Sequence, residues 1–195
     1  MFTTELANIY SKKPYLNEII PYDEIAPQIG QFLLQEVRLG ANNLNPYRFS
    51  FNFGYSPKDV INLFIAFSAN DGPLVRLYRY ECSDCGELNI LTDNELKHFK
   101  CYECGSPGDL EKKMFLENVK VLFEIKEPYL KEVKRRLKDQ ASSKVKQNAH
   151  PEYLGEADFN LGEVIESVNS FNKPLDDDFI DLTNEIASRL SQGLY

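Results

Sequence analysis

Four cysteines carry the clearest chemistry in this chain of 195 residues. They form two pairs, Cys82-Ser83-Asp84-Cys85 and Cys101-Tyr102-Glu103-Cys104, with fifteen residues between the pairs. Thiolates are soft ligands, and a C-x2-C-x15-C-x2-C spacing suits a Zn²⁺ ion closed in a tetrahedron. Gly86 and Gly105 each follow the second cysteine of a pair. A metal knuckle turns there through positive φ, which glycine tolerates, and leaves backbone N–H groups facing sulfur. The expectation is one structural Zn²⁺ on Cys82, Cys85, Cys101 and Cys104, with no catalytic residue assigned.

Other cysteine chemistry fits less well. A redox C-x-x-C opens a helix in a βαβ unit and needs one pair, not two. Two disulfides require an oxidising compartment, and Met1-Phe2-Thr3-Thr4-Glu5 lacks the apolar core of a secretion signal. A catalytic zinc keeps one position open for water, whereas four cysteines close the site. His98 precedes Cys101 by three residues, and with no ligand position missing it reads as a surface or supporting histidine.

Composition bounds the rest. With 43% hydrophobic residues, 13 Phe and 11 Tyr, the chain can bury a real core in one domain or two small ones. No apolar run reaches the roughly eighteen residues of a membrane span, so a soluble, cytoplasmic protein is expected. The net charge is −8, and residues 149–195 carry all of it, with ten acids against Lys173 and Arg189. Residues 126–146 are basic, with eight Lys or Arg against Glu127, Glu132 and Asp139. Such runs are usually solvated faces, although the basic one could meet phosphate.

The elements that must position the cysteines follow from periodicity. Met1 to Tyr15 shows no clear period and is expected to be loosely held. Ile25, Ile29, Phe32, Leu33 and Val37 recur at helical spacing, and Gly40 to Asn43 can end that helix. Tyr47, Phe49, Phe51 and Phe53 alternate with polar residues, which predicts a strand. Ser56-Pro57-Lys58-Asp59 is a helix start, and Val60, Ile61, Phe64, Ile65 and Phe67 are its buried side. Leu74 to Glu81 reads as a strand running into Cys82, and Leu88 to Leu91 as another. Thr92 with Glu95 resembles a capping box. Val119, Val121, Phe123 and Ile125 form one strand face, and Pro128 opens a basic helix. Ala141 to Pro151 reads as a linker. Two amphipathic helices close the chain, with stripes Leu161, Val164, Ile165, Val168, Phe171 and Phe179, Leu182, Ile186, Leu190. Neither stripe can be buried by its own helix, so the pair packs on the chain or forms a partner surface. Asp176-Asp177-Asp178 reads as charge complementing a helix dipole.

The stretch Ser56 to Cys104 resembles a prokaryotic arrangement in which a winged-helix-like segment leads into a zinc ribbon. The matching patterns are S-P-x-D-V-x-x-L-F-x-x-F, then D-G-x-L-V-R-x-Y-x-Y-x-C-x-x-C-G, then F-K-C-x-x-C-G. The resemblance implies an accessory component, with a loose association to antiviral defence operons. His98 to Gly105 is also similar to archaeal transcription factor E, which joins a winged helix to a four-cysteine ribbon. Here the ribbon follows its strand directly, without that family's long linking helix.

No Gly-x-Ser-x-Gly, phosphate-cradling glycine loop or H-E-x-x-H occurs, so the expectation is a protein that is not an enzyme. The predicted fold class is α+β, comprising a winged-helix-like part (1–80), a zinc ribbon (81–108), a strand and basic helix (109–140), the linker (141–151) and an acidic helical extension (152–195). The expected function is an interaction or adaptor module in a larger prokaryotic assembly, with a protein partner, self-association through the extension and no membrane contact. The alternative is a nucleic-acid-binding regulator that uses the ribbon and residues 126–146.

Overall fold

An antiparallel sheet organises the chain, with strands in the order β1-β4-β2-β3: β1 is Asn43–Leu44, β2 Leu74–Glu81, β3 Leu88–Leu91 and β4 Lys120–Ile125. The computed structural model describes residues 2–107, 113–141 and 159–192. Period-two alternation puts Leu74, Arg76, Tyr78 and Tyr80 of β2 on a covered face. Val121, Phe123 and Ile125 of β4 join them, in register with Tyr78, Arg76 and Leu74. The architecture is α+β, with the helices packed around this face.

The helices are α1 Phe2–Lys12, α2 Tyr22–Arg38, α3 Pro46–Phe53, α4 Pro57–Phe67, α5 Asp93–Lys97, α6 Lys113–Asn118, α7 Glu127–Ala141, α8 Leu161–Phe171 and α9 Asp177–Gln192. A short 3₁₀ turn over Pro14–Glu18 joins α1 to α2. Every residue from Val60 to Phe67 is buried, which marks α4 as a helix surrounded on all sides. Phe64 meets Phe123 of β4 edge-on at 5.4 Å and Phe49 of α3 at 5.9 Å. Phe49 in turn meets Phe32 of α2 at 5.2 Å. This aromatic chain ties three helices to the sheet.

Two local expectations are overturned. Residues 47–53 form α3, not an aromatic strand. Asn45 caps it, its Oδ1 accepting from the N–H groups of Tyr47 (2.8 Å) and Arg48 (3.2 Å), and Pro46 takes the first turn. Gly54 ends it at φ 74°. Phe49 and Phe53 lie four apart and both face the core, while Phe51 is 78% exposed. The opening segment is likewise ordered: Phe2, Leu6, Ile9 and Tyr10 of α1 are buried at helical spacing, and the Tyr10 hydroxyl donates to the Ile20 carbonyl at 2.9 Å.

Both C-terminal stripes close on the chain itself. Leu161, Val164 and Val168 are buried, and the Ser167 hydroxyl reaches Asn62 Oδ1 of α4 at 3.1 Å. Phe159 stacks on Tyr47 at 3.6 Å, and its carbonyl accepts from Val121 N–H. Phe179, Leu182 and Ile186 of α9 are buried in the same hydrophobic cluster. Apart from Ala141, the expected linker lies outside the described residues.

Candidate metal centre

The first cysteine pair is the turn of a hairpin. β2 pairs with β3 from Tyr78↔Leu91 to Glu81↔Leu88, and the ladder continues as Cys82 N–H donates to Glu87 O at 2.9 Å. Gly86 N–H then donates to Cys82 O at 2.8 Å, with Gly86 at φ 75°. The second pair repeats this arrangement. Cys101 N–H donates to Ser106 O (2.8 Å), Gly105 N–H to Cys101 O (2.9 Å), and Gly105 sits at φ 71°. Lys100 and Pro107 bridge below it. A Cβ at either glycine would meet no neighbour, so it is the backbone conformation that requires glycine.

Between the knuckles, α5 is one capped turn. Thr92 and Glu95 form the expected capping box, and the Thr92 N–H with its hydroxyl holds the Glu95 carboxyl below its ordinary range. Leu96 and Phe99 are buried, and Phe99 meets Tyr80 edge-on at 5.3 Å. That packing folds the second knuckle back against the first.

All four sulfur atoms lie within 4.8 Å of one another. Sγ of Cys82 is 3.7 Å from Cys104, and Sγ of Cys85 is 3.6 Å from Cys101. Four sulfurs bound at 2.3 Å to a tetrahedral zinc stand about 3.8 Å apart. The cysteines are unpaired and can hold a metal ion. Cys82 and Cys101 are buried, while Cys85 and Cys104 face outward.

The chain matches no protein-family model, no curated protein and no solved structure.

The thiols share their protons unequally. The N–H groups of Cys104 and Glu103 draw Cys101 down to about 6. The Glu87 N–H pulls Cys85 the same way, but burial and the three neighbouring thiols push it up to about 12. A divalent cation bound by the four sulfurs would supply the charge that favours their thiolate forms.

Asn89 is the functional residue that the cysteine pattern leaves out. It is fully buried on β3. Its amide N–H₂ donates to Glu87 O at 2.9 Å and points to Cys101 Sγ at 3.8 Å. Its Oδ1 accepts from Tyr102 N–H at 3.1 Å. One side chain thus ties both knuckles together. The available signal was an amide at an inward-alternating strand position. His98 is exposed, with Nδ1 3.2 Å from Asn94 O.

A second polar cluster, which no local sequence pattern marks, lies beside α5. Arg76, on the covered face of β2, grips Asp93 of α5 through Nε (3.1 Å) and Nη2 (2.7 Å). Its Nη1 donates to Asp176 at 2.6 Å, and its guanidinium lies 4.7 Å over the Phe179 ring. The Tyr78 hydroxyl donates to Asp93 at 2.6 Å. Asp176 is therefore not a solvated charge at a helix start: it is buried and paired. Asp177 and Asp178 do occupy the first turn of α9.

Proposed function

We propose that this chain is a non-enzymatic interaction module whose four cysteines bind a structural Zn²⁺ and present a ribbon to a protein partner. The observation that carries the reading is where exposed apolar side chains collect. Of the five large ones exposed among the described residues, Leu88 (53%), Ile90 (42%) and Tyr102 (62%) belong to the ribbon. Solvated apolar groups crowded on a metal-fixed hairpin mark a contact surface.

The proposed scaffold is a winged helix with the ribbon inserted at its wing. Three features support this: the order α2, β1, α3, α4, β2, β4, the three-residue connection between α3 and α4, and the pairing of β4 with both β1 and β2. In a DNA reader the second helix of such a pair enters the groove. Here α4 is buried beneath α8, which favours protein contact over base reading. The basic helix α7 begins beyond the Ile125 end of β4, while the ribbon extends from the Glu81 end of β2, so the two elements of the nucleic-acid reading stand at opposite ends of the sheet.

Photocrosslinking tests the proposal. A photoreactive residue at Ile90, with exposed Thr4 as the control position, should give a discrete protein adduct in the native cell. Adducts to nucleic acid, or none above the Thr4 control, refute the reading.

A further inference from the structure

Among the described residues, β3 is an unpaired edge of the sheet, the other edge being the two-residue β1. Because Cys82 and Glu87 are a hydrogen-bonded pair, alternation leaves Glu81/Leu88 and Arg79/Ile90 as non-bonded pairs. The N–H and C=O groups of Leu88 and Ile90 therefore point away from β2. Among the described residues, only Ile90 O of these four has a partner, the Tyr102 hydroxyl at 3.3 Å. The strand Leu88-Asn89-Ile90-Leu91 contains none of the charges or prolines that usually protect an edge. Its outward side chains also continue an apolar strip. Leu77 of β2 and Leu122 of β4 are paired neighbours on the same sheet face, and both are half-buried.

Charge decides what this edge can accept. Glu81, Asp84, Glu87, Glu95 and Glu103 are exposed around it. Among the described residues the bases nearby are Lys100, which is exposed, Arg79, which lies across from Ile90 and is engaged within the chain, Lys120, half-buried beside Arg79 on β4, and Lys97, ion-paired to Glu185, so acids still outnumber bases. A divalent metal on four thiolates leaves two further negative charges. A second copy of the ribbon would bring acid against acid, and a nucleic acid would bring phosphate against acid. We infer that the β3 edge accepts an extended cationic segment of a partner protein, added as a further strand. Its apolar side chains lie on Leu88 and Ile90, and its alternate Lys or Arg side chains face the acids beside the second knuckle.

The inference rests on the interaction reading above and can fail separately from it. A random peptide library displayed on phage is selected on the zinc-loaded full chain, and enriched peptides are measured by fluorescence anisotropy. The expected sequences alternate apolar residues with Lys or Arg, and their affinity falls as salt rises. Leu88→Ser with Ile90→Ser should weaken them at least tenfold, and Glu87→Lys with Glu103→Lys should turn the preference towards acidic peptides. Zinc content and the β2 amide signals confirm that each variant is folded. Acidic peptides, apolar residues at helical spacing, unchanged binding to the serine variant, or no enrichment would each overturn the inference. A dimer abolished by the serine pair would replace it with a second copy. If an Ile90 crosslink to a protein persists while selection fails, the interaction module stands and the cationic strand does not. If both fail, both readings fall.

Discussion

Replacing Asp176 with asparagine should cost the protein about 3 kcal/mol. The side chain keeps its shape and loses only its charge. Arg76 is 5% exposed, and it would be left buried with Asp93 as its remaining carboxylate. Breaking a buried ion pair by removing one partner costs about 3–5 kcal/mol, because the surviving charge is uncompensated. The lower end applies here, since Asp93 holds Arg76 through two bonds and Tyr78 supplies a third contact at 2.8 Å. For a chain of this size the loss corresponds to a melting temperature lower by roughly 6–12 °C. Differential scanning calorimetry measures it. A double-mutant cycle with Arg76→Met isolates the pair. The double variant should recover part of the loss, because Asp93 is partly exposed and can be hydrated when Arg76 is gone. An Asp176→Asn protein that melts within about 1 °C of wild type would refute the assignment of this contact as a buried, stabilising pair.

Asn89→Ala should weaken zinc affinity about 10–100-fold in a chelator competition, as removal of a group that orients metal ligands does; unchanged affinity would deny Asn89 that role. Gly72→Ala should destabilise by about 3 kcal/mol in urea unfolding, the upper range for overpacking, because its Cβ would lie 2.1 Å from the Phe67 carbonyl oxygen; an unchanged midpoint would refute it. Burial raises the Glu36 carboxyl above its ordinary value, and Arg48 only partly opposes this. A folded-state value above the unfolded one means that ionised Glu36 lowers stability at neutral pH and that acid relieves it. Glu36→Gln should therefore melt above wild type at neutral pH, with the gap closing as pH falls, and a variant that melts below wild type there would contradict it.

What the sequence made legible was local chemistry. The knuckles, the Thr92 capping box, the strand from Leu74 to Glu81 and the α4 start all depend on residues within a few positions of one another, and all appear as read. Ser56 takes the cap position of α4 although its side chain makes no capping bond. The rest was illegible for two reasons: a local pattern that fits two periods, or a partner far along the chain. Phe49, Phe51 and Phe53 satisfy both a strand period and an i, i+4 helix pair, and the Asn45 cap with Pro46 settles it for the helix. α1 carries a helical stripe, Phe2, Leu6, Ile9 and Tyr10, but its other positions mix polar and apolar residues, which blurs the period. Asp176 is one of three consecutive aspartates, and nothing local distinguishes the one whose partner lies a hundred residues earlier. Asn89 reads as a weak strand former until Cys101, Tyr102 and Glu87 close around it.

The Arg76 cluster also predicts how far the loss of metal should travel. Asp93 is the first residue of α5, and α5 is held between the two knuckles. If zinc leaves, the knuckles lose their common tie, and folding coupled to metal binding lets the ribbon open. Asp93 then leaves Arg76, which retains Asp176 at the start of α9 but loses the paired geometry that fixed its plane. Arg189 of α9 also loses its bond to the Lys97 carbonyl, 2.9 Å long in the folded ribbon. Chelation should therefore speed amide hydrogen exchange in residues 82–107 and also in the first and last turns of α9. The buried contacts of α1 and α2 lie with α7 and the aromatic chain, so their exchange should not change. Elemental analysis before chelation should find one zinc per chain. Faster exchange confined to the ribbon would show that α9 is held independently of the metal. A metal-free chain that keeps its ribbon folded through two disulfides would remove the premise altogether.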